Sequence, residues 1–344
     1  MSEYNIELDT RTMNAQNLQQ LLDQKTKPIG SLGRLEELAV RVASVTGESS
    51  AEKFTASLTI FAADHGIAEE GVSAFPQEVT GQMVANFLAN GAAANAIAGE
   101  LGIPVSVVDC GVKSLLVNGT DLIDMRLGAG ASNSAQGPAM TQEVAAKAIS
   151  QGQSYGQSLA STIVCFGEMG IANTSSATLL AHKLSGISIA DLIGRGTGID
   201  DAGLNHKKSI LERAAARTGQ LVPIDALAEV GGFEIGTMAG AIIGAAASKK
   251  VVVVDGFIAT AASALARALA AECEASMVYA HRSAEQGHAT LLEWLQAKPL
   301  LDLEMRLGEG TGALLAVPII RASVSLFGMA SFADAGVSGR SGDE

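Results

Sequence analysis

Strand-length apolar runs alternating with helical segments constrain this chain more than any other feature. Ser57–Ala62 (SLTIFA), Val105–Val108, Thr162–Phe166 (TIVCF), Val251–Val254 and Met277–Tyr279 are continuous apolar runs. Each is followed by a segment of helical spacing: Gln77–Ala89, Gln142–Gly152, Asn173–Leu184, Ala259–Ala271 and Gln286–Leu295. Strands without polar alternation are buried on both faces, which points to a doubly wound, mostly parallel α/β sheet. The form Ser283-Ala284-Glu285-Gln286 reads as a capping box at the last helix. The first fifty residues carry only helical periodicity, over Asn14–Lys25 and Leu35–Val45, around a loop at Lys27–Gly33. With the helix after Gly312 they are expected to form a smaller helical domain, 1–50 plus 312–344. Residues 51–311 are then a Rossmann-like α/β domain carrying the active site.

Composition narrows the function classes. The net charge of −13 and an aromatic content of 4% argue against a phosphate-backbone footprint or base-stacking platform for nucleic acid. Hydrophobic residues at 48% with only 17% charged exclude a disordered chain. Cys110, Cys165 and Cys273 form no CxxC pair and read as small buried hydrophobes in a reducing cytoplasm. The N-terminus has no signal-peptide pattern, and the most apolar stretch, Ala239–Ala271, is broken by Lys249, Lys250, Asp255 and Arg267. The expectation is a cytoplasmic protein with no membrane association. The 38 glycines are expected to cluster in loops.

Open parallel sheets bind ligands beyond the carboxyl ends of their strands. The loops there are Ala62–Ser73, Gly167–Thr174, Gly194–Gly198 and Gly231–Gly236. Glycine-rich turns that open helices suit a phosphorylated small molecule, though each alone is also an ordinary tight turn. Neither a Walker A spacing nor a GxGxxG after the first strand is present, so a mononucleotide is favoured. Asp255 ends a valine strand and suits either a ribose hydroxyl or loop hydrogen bonding. Its neighbour Gly256 leaves the second acid of a magnesium-diphosphate site missing. No His or Cys spacing indicates a metal. His65 is open between a catalytic and a hydrogen-bonded structural role, and Lys207 and Lys208 between a phosphate contact and a solvated face. Glu168 in GEMG and Glu309 in LGEG are carboxylates in apolar surroundings. Desolvation suits either to general-base work, unless it is simply an exposed loop residue. The stretch Asp124–Gly130 (DMRLGAG) also echoes Glu304–Gly310 (EMRLGEG), with Ala129 in place of Glu309.

Taken together, Lys27–Glu36 (KPIGSLGRLE), Ala63–Thr80 (ADHGIAEEGVSAFPQEVT), GEMGIANT, GRGTG, EVGGFEIGTMAGA and LGEGTGA occur in one order. From Lys27 to Ser338 the chain resembles the nicotinate-nucleotide–dimethylbenzimidazole phosphoribosyltransferase (CobT) family. The resemblance implies transfer of phosphoribose from nicotinate mononucleotide to 5,6-dimethylbenzimidazole, giving nicotinate and α-ribazole 5′-phosphate for the lower ligand of cobalamin. It implies small-molecule substrates, a homodimer, and neither metal nor organic cofactor. Carried onto this sequence, it makes Glu309 the general base and puts Ser73, Glu168 and Met169 at the base pocket. Gly170, Arg195, Gly196, Thr197, Gly198, Lys207 and Ser283 fall to the phosphate and ribose, with Asp255 a further candidate. Ala172 stands where the family more often has glycine. A transferase for another aromatic base and a catalytically idle nucleotide sensor are the competing readings.

Overall fold

The computed structural model describes residues 14–114, 122–196 and 198–338. Thr197 therefore lies outside the described residues. Six strands form one sheet: β1 (Ala56–Ala63), β2 (Val105–Gly111), β3 (Leu122–Asp124), β4 (Ile163–Met169), β5 (Val251–Val254) and β6 (Met277–Tyr279). All five pairings are parallel, in the order β3-β2-β1-β4-β5-β6. The direction of winding reverses between β1 and β4, so the crevice above their carboxyl ends is the place where such sheets take ligands. Five of these strands correspond to the apolar runs; β3 is additional. It is a three-residue edge strand with no buried residue, so it lacks the continuous apolar signal of the others.

The helices before β4 are α1 (Ala15–Asp23), α2 (Arg34–Thr46), α3 (Val79–Leu88), α4 (Ala93–Glu100) and α5 (Gln142–Ser158). After β4 come α6 (Asn173–Ser185), α7 (Ile189–Leu192), α8 (Asp201–Ala216), α9 (Pro223–Val230) and α10 (Phe233–Ala247). The series ends with α11 (Phe257–Leu269), α12 (Gln286–Trp294) and α13 (Thr311–Ser325). Alternate strand residues face opposite cores. Phe61, Val108, Phe166 and Val254 join the helices from α5 to α12. Leu58, Ile60, Cys165 and Val253 join α1 to α4 and α13. Burial on both faces is what the unbroken apolar runs required.

Chain ends meet on the second face. α1, α2 and α13 share Leu18, Leu22, Ala39, Val42, Val317 and Ile320 with the strands. An antiparallel bridge joins Lys25 to Ser331. Among the described residues, Thr311–Gly328 is the one helical stretch long and apolar enough to cross a bilayer by length and composition, and 56% of it is buried.

Two local expectations are corrected. Glycines are not confined to loops: Gly152 and Gly156 on α5 and Gly240 and Gly244 on α10 form a helix crossing. A methyl at any of the four would stand 2.0–2.1 Å from a carbonyl oxygen of the facing helix. Only hydrogen fits there, which offsets the usual helical penalty of glycine. The capping box also does not form. α12 has Glu285 as its N-cap with no side-chain cap bond, and Ser283 Oγ instead accepts the Glu285 N–H at 3.2 Å. The three cysteines are buried and free.

Candidate active site

The crevice is built from strand ends. β4 delivers Glu168, Met169 and Gly170; β1 delivers Asp64 and His65; β5 delivers Asp255; the turn after β6 delivers His281 and Ser283. Gly167, within β4, lets the segment Gly308–Gly310 lie directly on the strand. A Cβ there would fall 2.4 Å from Glu309 C and 2.5 Å from Gly310 N. A Cβ at Gly308 would in turn fall 2.2 Å from Glu168 Oε1. Gly308, Glu309 and Gly310 all have positive φ, at 85°, 61° and 79°. For Glu309 that conformation is unusual in a non-glycine residue and is held by its surroundings.

Both expected carboxylates are buried, Glu168 at 8% exposure and Glu309 at 6%. Glu168 Oε2 accepts from Asn173 Nδ2, and the Glu309 backbone N–H also serves this carboxylate. Burial nevertheless pushes Glu168 up to about 8. Burial also raises Glu309, opposed by the Ala94 N–H, which reaches Glu309 Oε2 at 3.4 Å from the first turn of α4. Asp255 makes hydrogen bonds to the loop that carries Glu309. Its Oδ2 accepts from Gly310 N at 3.2 Å and its Oδ1 from Ala313 N at 2.8 Å, so it caps α13 immediately after Glu309.

A second group gathers where α6 begins. Ala172 has φ of 72°, which explains why glycine suits this position. Lys207 is 1% exposed, so the solvated-face reading fails for it. Its Nζ donates to Thr174 Oγ1 at 3.0 Å and to Gly194 O at 3.1 Å. Burial lowers this ammonium to about 8. Gly196, at φ of 52°, turns beside both; a Cβ there would be 3.0 Å from Thr174 Oγ1 and 3.6 Å from Lys207 Nζ. Gly198 also has positive φ, 104°. Arg195 is exposed and engaged in its own loop, with Ile199 O at 3.0 Å and Asp201. Gly170 is required by packing, since a Cβ would meet Ala63 O at 2.5 Å.

Ser73 accepts the Phe75 N–H at 3.3 Å in the loop between β1 and α3. Gln77 ties that loop to the His65 carbonyl at 3.0 Å. The Ser283 N–H donates to His288 Nδ1 at 2.8 Å, which fixes the turn after β6. A cavity of about 220 Å³ is lined by Ser283 and Glu285. A cavity of about 690 Å³ lies apart from the two carboxylates, between residues 130–142 and α9.

Sequence reasoning left several of these residues without a role. His65 is buried with both ring nitrogens engaged, Nε2 with Glu234 Oε1 at 2.7 Å and Nδ1 with Ser176 Oγ at 2.9 Å. The hydrogen bonding of the structural reading is thus present. Burial is the largest influence and works to lower His65, but the carboxylates of Glu234, Asp64 and Glu168 together outweigh it and the net shift is upward. The usable signal for Glu234 was a lone carboxylate in the apolar run FEIG; for Asn173 and Thr174, it was polar groups inside GEMGIANT.

Glu168 has a consequence for stability. The folded state holds a proton that the unfolded chain releases near 4.5, so stability falls as pH rises between about 4.5 and about 8. Glu168→Gln removes that loss. Its melting temperature relative to the unmutated protein is expected to climb from about pH 5 to about pH 8. A difference independent of pH would mean that Glu168 is ionised in the folded protein.

Residues 7–337 match the family described as Phosphoribosyltransferase. A protein of Cupriavidus necator named nicotinate-nucleotide–dimethylbenzimidazole phosphoribosyltransferase is 48% identical over 326 residues, covering 93% of this chain and 94% of that one. A protein of the same name from Chloroflexus aurantiacus is 47% identical over 338 residues, covering 96% and 95%. The crystal structure of CobT from Thermus thermophilus superposes with a TM-score of 0.91 at 41% identity, covering 94% of this chain and 98% of that one. With its sheet order, its strand-end carboxylates and these relatives, the chain belongs to the nicotinate-nucleotide–dimethylbenzimidazole phosphoribosyltransferase family.

Proposed function

We propose that this enzyme transfers phosphoribose from nicotinate mononucleotide to 5,6-dimethylbenzimidazole, producing nicotinate and α-ribazole 5′-phosphate for the lower ligand of cobalamin. The observation that carries the assignment of roles is Glu309. It is a desolvated carboxylate, presented in a constrained backbone conformation on the end of β4 beside a second carboxylate. One benzimidazole nitrogen attacks C1′ as the C1′–nicotinate bond breaks and its electron pair returns to the pyridine nitrogen. Positive charge grows on the benzimidazole, and its other N–H becomes acidic. Glu309 accepts that proton. The β-linked nucleotide gives an α-linked product, so attack comes from the face opposite nicotinate. Glu168 and Met169 line the base side, together with Ser73.

The phosphate belongs to the second group, with Lys207, Gly196 and the start of α6 as its holders. Ser283, Gly170, Gly198 and Thr197 complete the ribose and phosphate side in this reading. Arg195 braces the loop, and Asp255 acts through the Glu309 segment. The same reading includes a homodimer and the division into 1–50 with 312–344 and 51–311.

Incubation with nicotinate mononucleotide and a panel of bases tests the reaction. Nicotinate release with benzimidazoles is expected; release with adenine or a phenol alone would favour the other-base reading. Lys207→Ala removes one charge-assisted bond, worth roughly 1.5–3 kcal/mol. Nucleotide affinity should fall roughly tenfold to a hundredfold. Unchanged affinity would remove the phosphate from this group.

A further inference from the structure

We infer that Glu285 is a positioning residue of the nucleotide phosphate subsite, holding the Gly196 turn and placing a negative charge beside Lys207. The inference rests on the phosphate reading above and deepens it. Glu285 is the N-cap of α12, where Ser, Thr, Asp or Asn would serve the helix, yet its side chain caps nothing there. Its carboxylate reaches a loop 89 residues away in sequence and accepts the Gly196 N–H at 2.9 Å. It is 8% exposed. Gly194 makes room for it, because a Cβ at Gly194 would sit 1.9 Å from Glu285 Oε1. The carbonyl of that same glycine accepts from Lys207 Nζ. One residue thus separates a buried carboxylate from a buried ammonium.

Among the described residues the hydrogen-bond acceptors of Lys207 are neutral, and a buried cation without counter-charge is costly. Glu285 is the carboxylate that offsets its desolvation. The other charged groups around α8 are engaged elsewhere. Arg195 pairs with Asp201, Lys208 with Glu212 and Arg213 with Glu70. His206 bonds the Glu70 carbonyl, and Asp200 caps α8. On α6, Lys183 is held by the carbonyls of Ala215, Thr218 and Gly219, and His182 by that of Ile187; on α7, Asp191 bonds Ser188.

A sign-changing pH response follows. Near pH 6 Lys207 of the unmutated enzyme is an ammonium, and the Glu285 variants are expected to keep it charged there. Removing a negative charge near the phosphate then cannot weaken nucleotide binding. Loss of Glu285 lowers Lys207 further, so the ammonium that meets the phosphate is lost at a lower pH than in the unmutated enzyme. Glu285→Gln keeps an acceptor for Gly196 N–H and should show a nicotinate mononucleotide KM at or below that of the unmutated enzyme at pH 6. At pH 7.5, where Lys207 of the unmutated enzyme is still mostly charged, its KM should be higher, by up to about tenfold if the charge-assisted bond is lost there. Glu285→Ala also frees the Gly196 turn and should raise KM at both pH values. The readout is nicotinate release at saturating dimethylbenzimidazole, with the change in KM rather than kcat. Should Glu285→Ala not fold, Gly194→Ala tests the same contact by pushing the carboxylate away. If Lys207→Ala raises KM while the Glu285 and Gly194 variants leave it unchanged at both pH values, Glu285 positions nothing. If Lys207→Ala leaves KM unchanged, the phosphate reading falls first and this inference with it.

Discussion

Glu309→Gln is expected to lose roughly 10²–10⁴-fold in kcat, the usual contribution of a positioned general base. Glutamine keeps the volume and an acceptor for the Ala94 N–H, which now reaches Glu309 Oε2. It cannot take a proton, so binding of both substrates should stay within about threefold while turnover collapses. The pH profile gives a second measure. Burial raises Glu309 above its ordinary range, so activity should rise with pH through a limb higher than an exposed carboxylate would give. That limb should vanish in the variant. Turnover within about threefold of the unmutated enzyme, against the expected contribution, would move the base to Glu168. Glu168 is buried beside the same loop and also raised by desolvation.

Gly167→Ala should lower kcat by about a hundredfold although it touches no substrate, since a displacement near 1 Å of a reacting group costs about that much. The added methyl would stand 2.4 Å from Glu309 C and 2.5 Å from Glu309 O and Gly310 N. These are backbone atoms of a segment that Asp255 holds through Gly310 N and Ala313 N. The segment cannot yield by rotating a side chain, so Glu309 itself must move. Retained nucleotide binding with lost turnover would mark a displaced base. Turnover within about threefold of normal, far short of that loss, would show that the Glu309 loop tolerates displacement. A large drop in melting temperature would instead place the damage in the β4 core, so both measurements belong together.

The sequence by itself determined the kind of sheet, because β1, β2, β4 and β5 are buried on both faces and such strands are continuous apolar runs. It also carried part of the chemical inventory: Glu168 and Glu309 are carboxylates set among glycines and apolar residues, whereas Lys207, beside His206 and Lys208, reads equally as a solvated face. What periodicity could not reach was β3, too short and too exposed to leave a signal, and the helix crossing made by Gly152, Gly156, Gly240 and Gly244. Tertiary structure alone decided which groups each carboxylate meets. Glu234 meets His65 across 169 residues, Glu285 meets Gly196 across 89, and Asp255 meets Gly310 across 55. Hydrogen-bond partners and loss of water set the properties of each acid. Both depend on segments far apart in the chain, whereas helical and strand periodicity reports only neighbours a few residues away.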